Sequence, residues 1–373
     1  MSHTAACRLA QVPEHIAPSR RELFAGVASA AIPGGLTSGW EQFKQGFLLP
    51  DGRVVDTDND HVSHSEGQAW GMLLAAIHGD AVSFHRIKSW TDANLAIRGD
   101  SLLAWRFRTR PQRGVDDMNA ATDADLCHAW ALLRAERRWP GQGFAGQAQR
   151  IAADILRLAV REIQGRTLLL PAPGGFTTTD AVIINPSYYV FPALDAIQAQ
   201  FPNPAWRAVM AQGEALLEQA RFGRWGLPPD WLVLRRPGVA PEPQRGRGDR
   251  FGDEALRVPL YLAWSGRWHA GPIAAARDFW NAHGRQAPPA WVRLSDGAMA
   301  PYPGGVGLRA IHRLIGNTAA LAVSLPGRGG GRGYYQNALA LLADAAQREA
   351  PPPRPAVLQG ALPAAPPRNS FVR

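Results

Sequence analysis

From residue 63 onward, apolar residues recur at three- and four-residue intervals, separated by polar loops. That spacing predicts amphipathic helices near 64–78, 83–97, 123–138, 145–163, 188–200, 205–221, 253–265, 271–283, 308–324 and 334–348. The aromatic stretch at 40–47 predicts one more short helix ahead of them. Strand-like runs are few, the best being 167–170 and 181–184. No strict period links the helices, so a solenoid such as a tetratricopeptide array is not supported. The pattern predicts a mostly α domain built from helical hairpins.

Between the helices run four long loops, 100–119, 171–187, 227–252 and 293–307, rich in Gly, Pro, aromatics and acids. Loops of that length in a compact domain are often functional. Both ends differ from the middle. Residues 1–38 read as a targeting segment: Ser19-Arg20-Arg21-Glu22-Leu23-Phe24 resembles a twin-arginine export signal, an apolar run follows, and Ala28-Ser29-Ala30 offers a cleavage site. The run is too short to span a membrane. Residues 39–348 form the expected soluble domain, periplasmic or secreted, and the Pro- and Ala-rich stretch 349–373 reads as a disordered tail.

Composition adds two facts. The 373-residue chain carries 13 Trp against 6 Tyr, and flat aromatic surfaces suit the CH faces of sugar rings as well as a core. Its formal charge is +9, and every basic residue except Lys44 and Lys88 is arginine. The arginines are scattered rather than gathered in a stripe, which argues against nucleic acid as a partner and leaves an anionic polysaccharide or membrane surface as a weak one. Of the two cysteines, Cys7 lies in the leader and Cys127 in an apolar helix, so no disulfide framework is expected.

Candidate chemistry gathers at predicted helix starts. Glu66 opens the helix after His64-Ser65, where burial would raise its pKa and suit it to donate a proton; an acid in the first turn is also ordinary helix chemistry. Asp123 stands at the next such start, where Thr122 or Asp123 would cap the helix. Asp253 and Glu254 precede Arg257 by one turn, close enough for a plain surface ion pair. Together these helix starts present acids beside loops bearing Trp105, Trp225, Trp231, Tyr188 and Tyr189. Two carboxyl groups with aromatic platforms are the equipment of glycoside hydrolysis. Asp56, Asp58 and Asp60 alternate as in a calcium loop, but His61 stands where Gly is needed and Gly67 where the closing Glu belongs.

Several of these stretches carry a family resemblance. Ser-Glu-Gly-Gln-Ala-Trp-Gly-Met-Leu-Leu at 65–74, Ala-Thr-Asp-Ala-Asp from residue 121, Asn185-Pro-Ser-Tyr-Tyr, Pro228-Pro-Asp-Trp-Leu and Arg257-Val-Pro-Leu-Tyr-Leu occur in order. In these motifs the chain resembles glycoside hydrolase family 8, in particular its members encoded with bacterial cellulose synthases. The resemblance implies an (α/α)6 barrel with a groove across one end, and inverting hydrolysis of internal β-1,4-glucan bonds without cofactor or metal. It also implies Glu66 as the acid and Asp123 as the residue holding the sugar at the cleavage point. Where the family usually carries Tyr-Asp-Ala-x-Arg, this chain has Asp253-Glu254-Ala255-Leu256-Arg257. The register favours Glu254 as the base over Asp253. Trp105, Tyr188, Tyr189, Trp231 and Arg257 are the expected substrate contacts, with Trp105 and Tyr189 foremost. Cellulose or cello-oligosaccharide is the expected partner, with the synthase machinery a further one. Xylan or chitosan hydrolysis, and a weakly active glucan-binding role, are the alternatives.

Overall fold

A computed structural model describes residues 39–110, 112–235, 238–284, 288–316 and 333–350. Its helices are α1 (Gly39–Phe47), α2 (Ser65–His78), α3 (Ala81–Asn94), α4 (Thr122–Arg138), α5 (Phe144–Leu158), α6 (Phe191–Gln200), α7 (Pro204–Gln219), α8 (Arg257–Trp264), α9 (Gly271–Ala282), α10 (Val306–Ile315) and α11 (Tyr334–Glu349). The expected targeting segment 1–38, the stretch beyond residue 350 and the second half of the expected 308–324 helix lie outside the described residues.

Sequence pattern sorts the helices into two layers. In α2 every residue from Gly67 to Ala76 is buried, and in α8 all eight are, so these helices are enclosed on all sides. In α5 burial follows one stripe, Phe144, Ala148, Ile151, Ala152 and Ile155, as on a helix with one face to solvent. The enclosed helices α2, α4, α6, α8, α10 and α11 contact one another in turn, and α11 returns to α2 to close the ring. Outside it, α1, α3, α5, α7 and α9 lie against α11, α2, α4, α6 and α8. This is an (α/α)6 barrel. The large fully buried side chains include Trp70 and Tyr261 on inner helices and Trp206 and Trp280 on outer ones, and each apolar residue so buried contributes about 1.5–3 kcal/mol of hydrophobic stabilisation.

Most helices begin and end where their patterns predict, and the exceptions have local causes. The 145–163 prediction runs too far. The helix stops at Leu158, and Val160–Ile163 pairs antiparallel with Arg166–Leu169. Gln164 and Gly165, at φ of 57° and 72°, form the two-residue turn that a right-twisted hairpin favours. The helix expected from 188 starts at Phe191, because Pro186–Tyr188 forms a 3-10 turn first. The helix expected from 253 starts at Arg257. Among the described residues no helix is long and apolar enough to cross a membrane.

The first residues of α2, α4 and α8 converge on one end of the ring. Trp105 ties two of them together: its carbonyl accepts from the Ser65 amide and its own amide donates to Asn119 O, each at 2.9 Å. A second bond runs from the Thr122 amide to Pro171 O at 2.9 Å. The long loops therefore lie over the helix starts.

Candidate active site

Arg257, the first residue of α8, is 1% exposed and stands among three carboxyl groups. Its Nη1 donates to Glu66 Oε2 and, at 2.8 Å, to Asp123 Oδ2, while Nη2 donates to Glu254 Oε2. The ring of Trp70 lies 5.8 Å from the guanidinium carbon and that of Tyr188 5.6 Å. Three residues that the sequence points to are thus joined by one cation.

Each acid reaches the cluster by a different route. Glu66 is the second residue of α2, whose first turn is capped by His64: Nδ1 accepts from the Gly67 amide at 3.0 Å. Since that nitrogen is an acceptor, the ring proton sits on Nε2, which faces Asp56 Oδ2 at 3.3 Å. Asp123 is the second residue of α4. The expected cap by Thr122 or Asp123 is not made. Ala121 is the N-cap, Thr122 Oγ1 donates to Leu170 O at 2.7 Å, and Asp123 Oδ1 accepts from the Ala124 amide at 2.9 Å. Glu254 belongs to the turn ahead of α8 and is also held by Asn185, whose Nδ2 donates to its Oε2 at 3.0 Å. Asn185 cannot rotate its amide freely, because its Oδ1 accepts from both the amide and the hydroxyl of Ser187.

Three anions around one cation leave an excess of negative charge, and a proton relieves it. Burial raises the pKa of Glu66; Arg257 opposes the rise and the Glu254 charge adds to it. Burial raises Asp123 well above the usual carboxylate range against the same opposition, reinforced by Glu66 and Glu254. These two carboxyl groups also share a hydrogen bond, so the retained proton belongs to the pair. The Glu66 side chain keeps 17% exposure against 2% for Asp123, so it is the member that can pass a proton to a ligand. Burial opposes the charge on Arg257, and Glu66, Glu254 and Asp123 together more than offset it. The phenol of Tyr188 stays protonated, raised by burial and then by Asp123 and Glu254.

Asp253 stands outside the cluster. It is exposed, and its backbone carbonyl accepts from the Tyr335 hydroxyl. Among the expected substrate contacts, Trp105 is half-buried beside the start of α2, with its indole nitrogen on Asp117 Oδ2 at 2.8 Å and the Arg106 guanidinium 4.2 Å from its ring. Trp231 and Tyr188, both half-buried, have ring centres 6.0 Å apart, and Trp231 stacks on Phe176 at 5.7 Å. Two expectations are corrected. Tyr189 is 1% exposed, packs beside Phe191 and under Gly213, and accepts from the Leu169 amide; the chain turns it into the core, away from the groove. Arg257 is no substrate contact either, because both terminal nitrogens are engaged by carboxylates in the interior.

Asn185 and Asp230 were not anticipated as site residues. Asp230 is 7% exposed, and its Oδ1 accepts from the amides of Gly252 at 3.0 Å and Ala255 at 2.8 Å. Both residues lie inside motifs that the sequence displays, Asn185-Pro-Ser and Pro-Pro-Asp230-Trp. A polar residue directly beside a proline was the available signal.

Known proteins match this chain in sequence and fold. The family model described as glycosyl hydrolases family 8 matches residues 19–349. A probable endoglucanase of Novacetimonas hansenii is 40% identical over 324 residues, covering 87% of this chain and 94% of that protein. An endoglucanase of Cellulomonas uda is 36% identical over 275 residues, 74% of this chain and 76% of the other. Among solved structures, an endo-β-1,4-glucanase of Acetobacter xylinum superposes with a TM-score of 0.78 at 40% identity, covering 83% of this chain and 97% of that one. The Klebsiella pneumoniae family 8 endoglucanase gives 0.79 at 34% identity, over 83% and 99%. With its barrel, its acid cluster and these matches in agreement, the chain belongs to glycoside hydrolase family 8.

Proposed function

We propose that the protein is an inverting endo-β-1,4-glucanase that cuts internal bonds of cellulose or soluble cello-oligosaccharides. The observation that carries this reading is the Glu66–Asp123–Arg257–Glu254 cluster, which brings a proton-bearing acid and a second carboxylate to one cation beneath aromatic loops. Glu66 gives its proton to the glycosidic oxygen as the bond from that oxygen to C1 breaks. Glu254 takes a proton from a water whose oxygen bonds to C1 from the opposite face. Inversion follows, since no protein atom bonds to the sugar. Glu66 and Glu254 meet Arg257 at different terminal nitrogens, so the two carboxyl groups do not compete for one donor. The family resemblance supports Asp123 as the residue that acts on the sugar at the cleaved bond, and Trp105, Tyr188 and Trp231 as subsite residues.

The test is hydrolysis of a soluble cellulose derivative, with the first-formed product followed by NMR. The α-anomer is expected first, and Glu66→Gln is expected to lower kcat by about 10²–10⁴-fold. Initial release of the β-anomer, full activity in Glu66→Gln, or tight oligosaccharide binding with no turnover would overturn the reading. The Ser19-Arg20-Arg21 motif supports export to the periplasm or beyond, and a cell fractionation after Arg20→Lys/Arg21→Lys checks it. The resemblance of its motifs to the members encoded with bacterial cellulose synthases supports a role beside the synthase. Co-purification with synthase subunits is the measurement for that contact.

A further inference from the structure

The segment Gly252-Asp253-Glu254-Ala255 is a turn, not helix, and nothing within it caps the start of α8: Leu256 is the N-cap and makes no side-chain bond. The amides at both ends of the turn instead converge on one atom from 22 and 25 residues earlier, Asp230 Oδ1. Asp230 is itself anchored, its amide donating to Arg250 O at 2.6 Å. The fit is close on the other side too. A Cβ added at Gly252 would lie 2.8 Å from Asp230 Oδ2 and 3.4 Å from Trp291 Cβ.

We propose that Asp230 is a positioning residue for the water-activating step: by clasping the amides of Gly252 and Ala255 it sets how far the Glu254 carboxylate reaches into the groove. The inference rests on Glu254 as the base. Its physical content is length. A glutamate side chain has one more rotatable bond than an aspartate, so its carboxylate is placed only if its backbone is held as well as its tip. Asn185 and Arg257 hold the tip, and Asp230 holds the backbone. Misplacement of a reacting group by about 1 Å can cost on the order of 100-fold.

The variants are Asp230→Ala, Asp230→Asn and Gly252→Ala, each made in the full-length enzyme and in the Glu254→Gln background, assayed on a soluble chromogenic cello-oligosaccharide. Asp230→Ala removes the acceptor and is expected to lower kcat by about 10–100-fold with KM within roughly twofold. Asp230→Asn keeps an oxygen that can accept both amides and is expected to restore most of the loss. In the Glu254→Gln background Asp230→Ala is expected to change the residual kcat by less than about twofold, because its effect passes through a base already removed. Gly252→Ala leaves the Asp230 side chain in place but forces it and the turn apart, and reads the proposal should Asp230→Ala not fold. An unchanged kcat in the Ala variants, or an equal loss in both backgrounds, overturns the positioning role. Full activity in Glu254→Gln itself would instead overturn the assignment of the base.

Discussion

Glu66 is the second residue of a fourteen-residue inner helix, whereas Glu254 stands three residues ahead of an eight-residue one. The acid side is held by continuous backbone. α2 is buried along nearly its whole length, and its first turn is closed by His64. The base side is assembled from pieces distant in sequence: Asn185 and Arg257 on the carboxylate, Asp230 on the amides beneath it. A proton donor needs a shielded place more than an exact reach, because a long glycosidic hydrogen bond can shorten as substrate settles. A base must hold a water on one line with C1. The difference between a helix and a clasped turn is therefore also a difference in how each side fails.

The largest effect separates the two roles by leaving group. On a cello-oligosaccharide with a dinitrophenolate leaving group, which departs without protonation, Glu66→Gln should recover most of the 10²–10⁴-fold loss it shows on natural linkages. Glu254→Gln should recover little, since water must still be deprotonated. Equal recovery of both variants would erase the distinction between the sides.

Next in size is Glu254→Asp. Although the family's usual residue here is the shorter acid, the turn, Asn185 and Arg257 are arranged around a glutamate, and shortening it draws the carboxylate away from both tip contacts. A fall in kcat of about 10–100-fold is expected, with KM little changed. A rise above the parent enzyme would mean that the glutamate is a defect rather than an accommodated change.

The same asymmetry governs what could be read from the sequence. The inner helices were visible because their burial follows from residue type alone: α2 and α4 match their predicted spans within a residue at each start. Glu66 and Asp123 come with those helices. On the base side the 253–265 prediction began four residues early: the turn closes with three-residue bonds, Arg257 N–H to Glu254 O and Val258 N–H to Ala255 O, and is held from outside by Asp230, none of which apolar spacing registers. Tyr189 was misread for a related reason. Adjacent tyrosines look equivalent in a motif, yet the 3-10 turn at Pro186–Tyr188 sends Tyr188 to Arg257 and Tyr189 under Gly213. Contacts between neighbours in sequence were legible, and those made by one distant polar atom were not.

Acidity gives a third comparison, in stability. The pKa values of Glu66 and Asp123 are raised on folding, chiefly by burial, so the folded state binds their proton more tightly than the unfolded chain. Stability from this pair is full below the ordinary carboxylate range near 4 and is lost as pH rises above it. Asp100, Asp116 and Asp154 behave oppositely. Hydrogen bonds and ion pairs lower their pKa values against the opposing cost of burial, and their contribution is lost as pH falls below about 4. Asp123→Asn should therefore flatten the decline of Tm as pH rises above the ordinary carboxylate range and leave the acid limb unchanged. An altered acid limb with an unaltered decline would reverse the assignment.

The smallest effect probes the cap on the acid side. His64→Ala removes the acceptor for the Gly67 amide and the contact with Asp56, but α2 keeps the packing of Trp70, Met72, Leu73 and Leu74. Loss of a helix cap costs about 1 kcal/mol, a fall in Tm of about 2–4 °C for a domain somewhat smaller than this one and less here. Asn at this position can cap the same amide and should return most of it. Because the helix rather than the cap holds Glu66, kcat should change by no more than a few-fold, far less than for Asp230→Ala across the groove. A loss in His64→Ala as deep as that of Glu66→Gln would show that the acid, like the base, depends on contacts from outside its own helix, and the contrast between helix and turn would not stand.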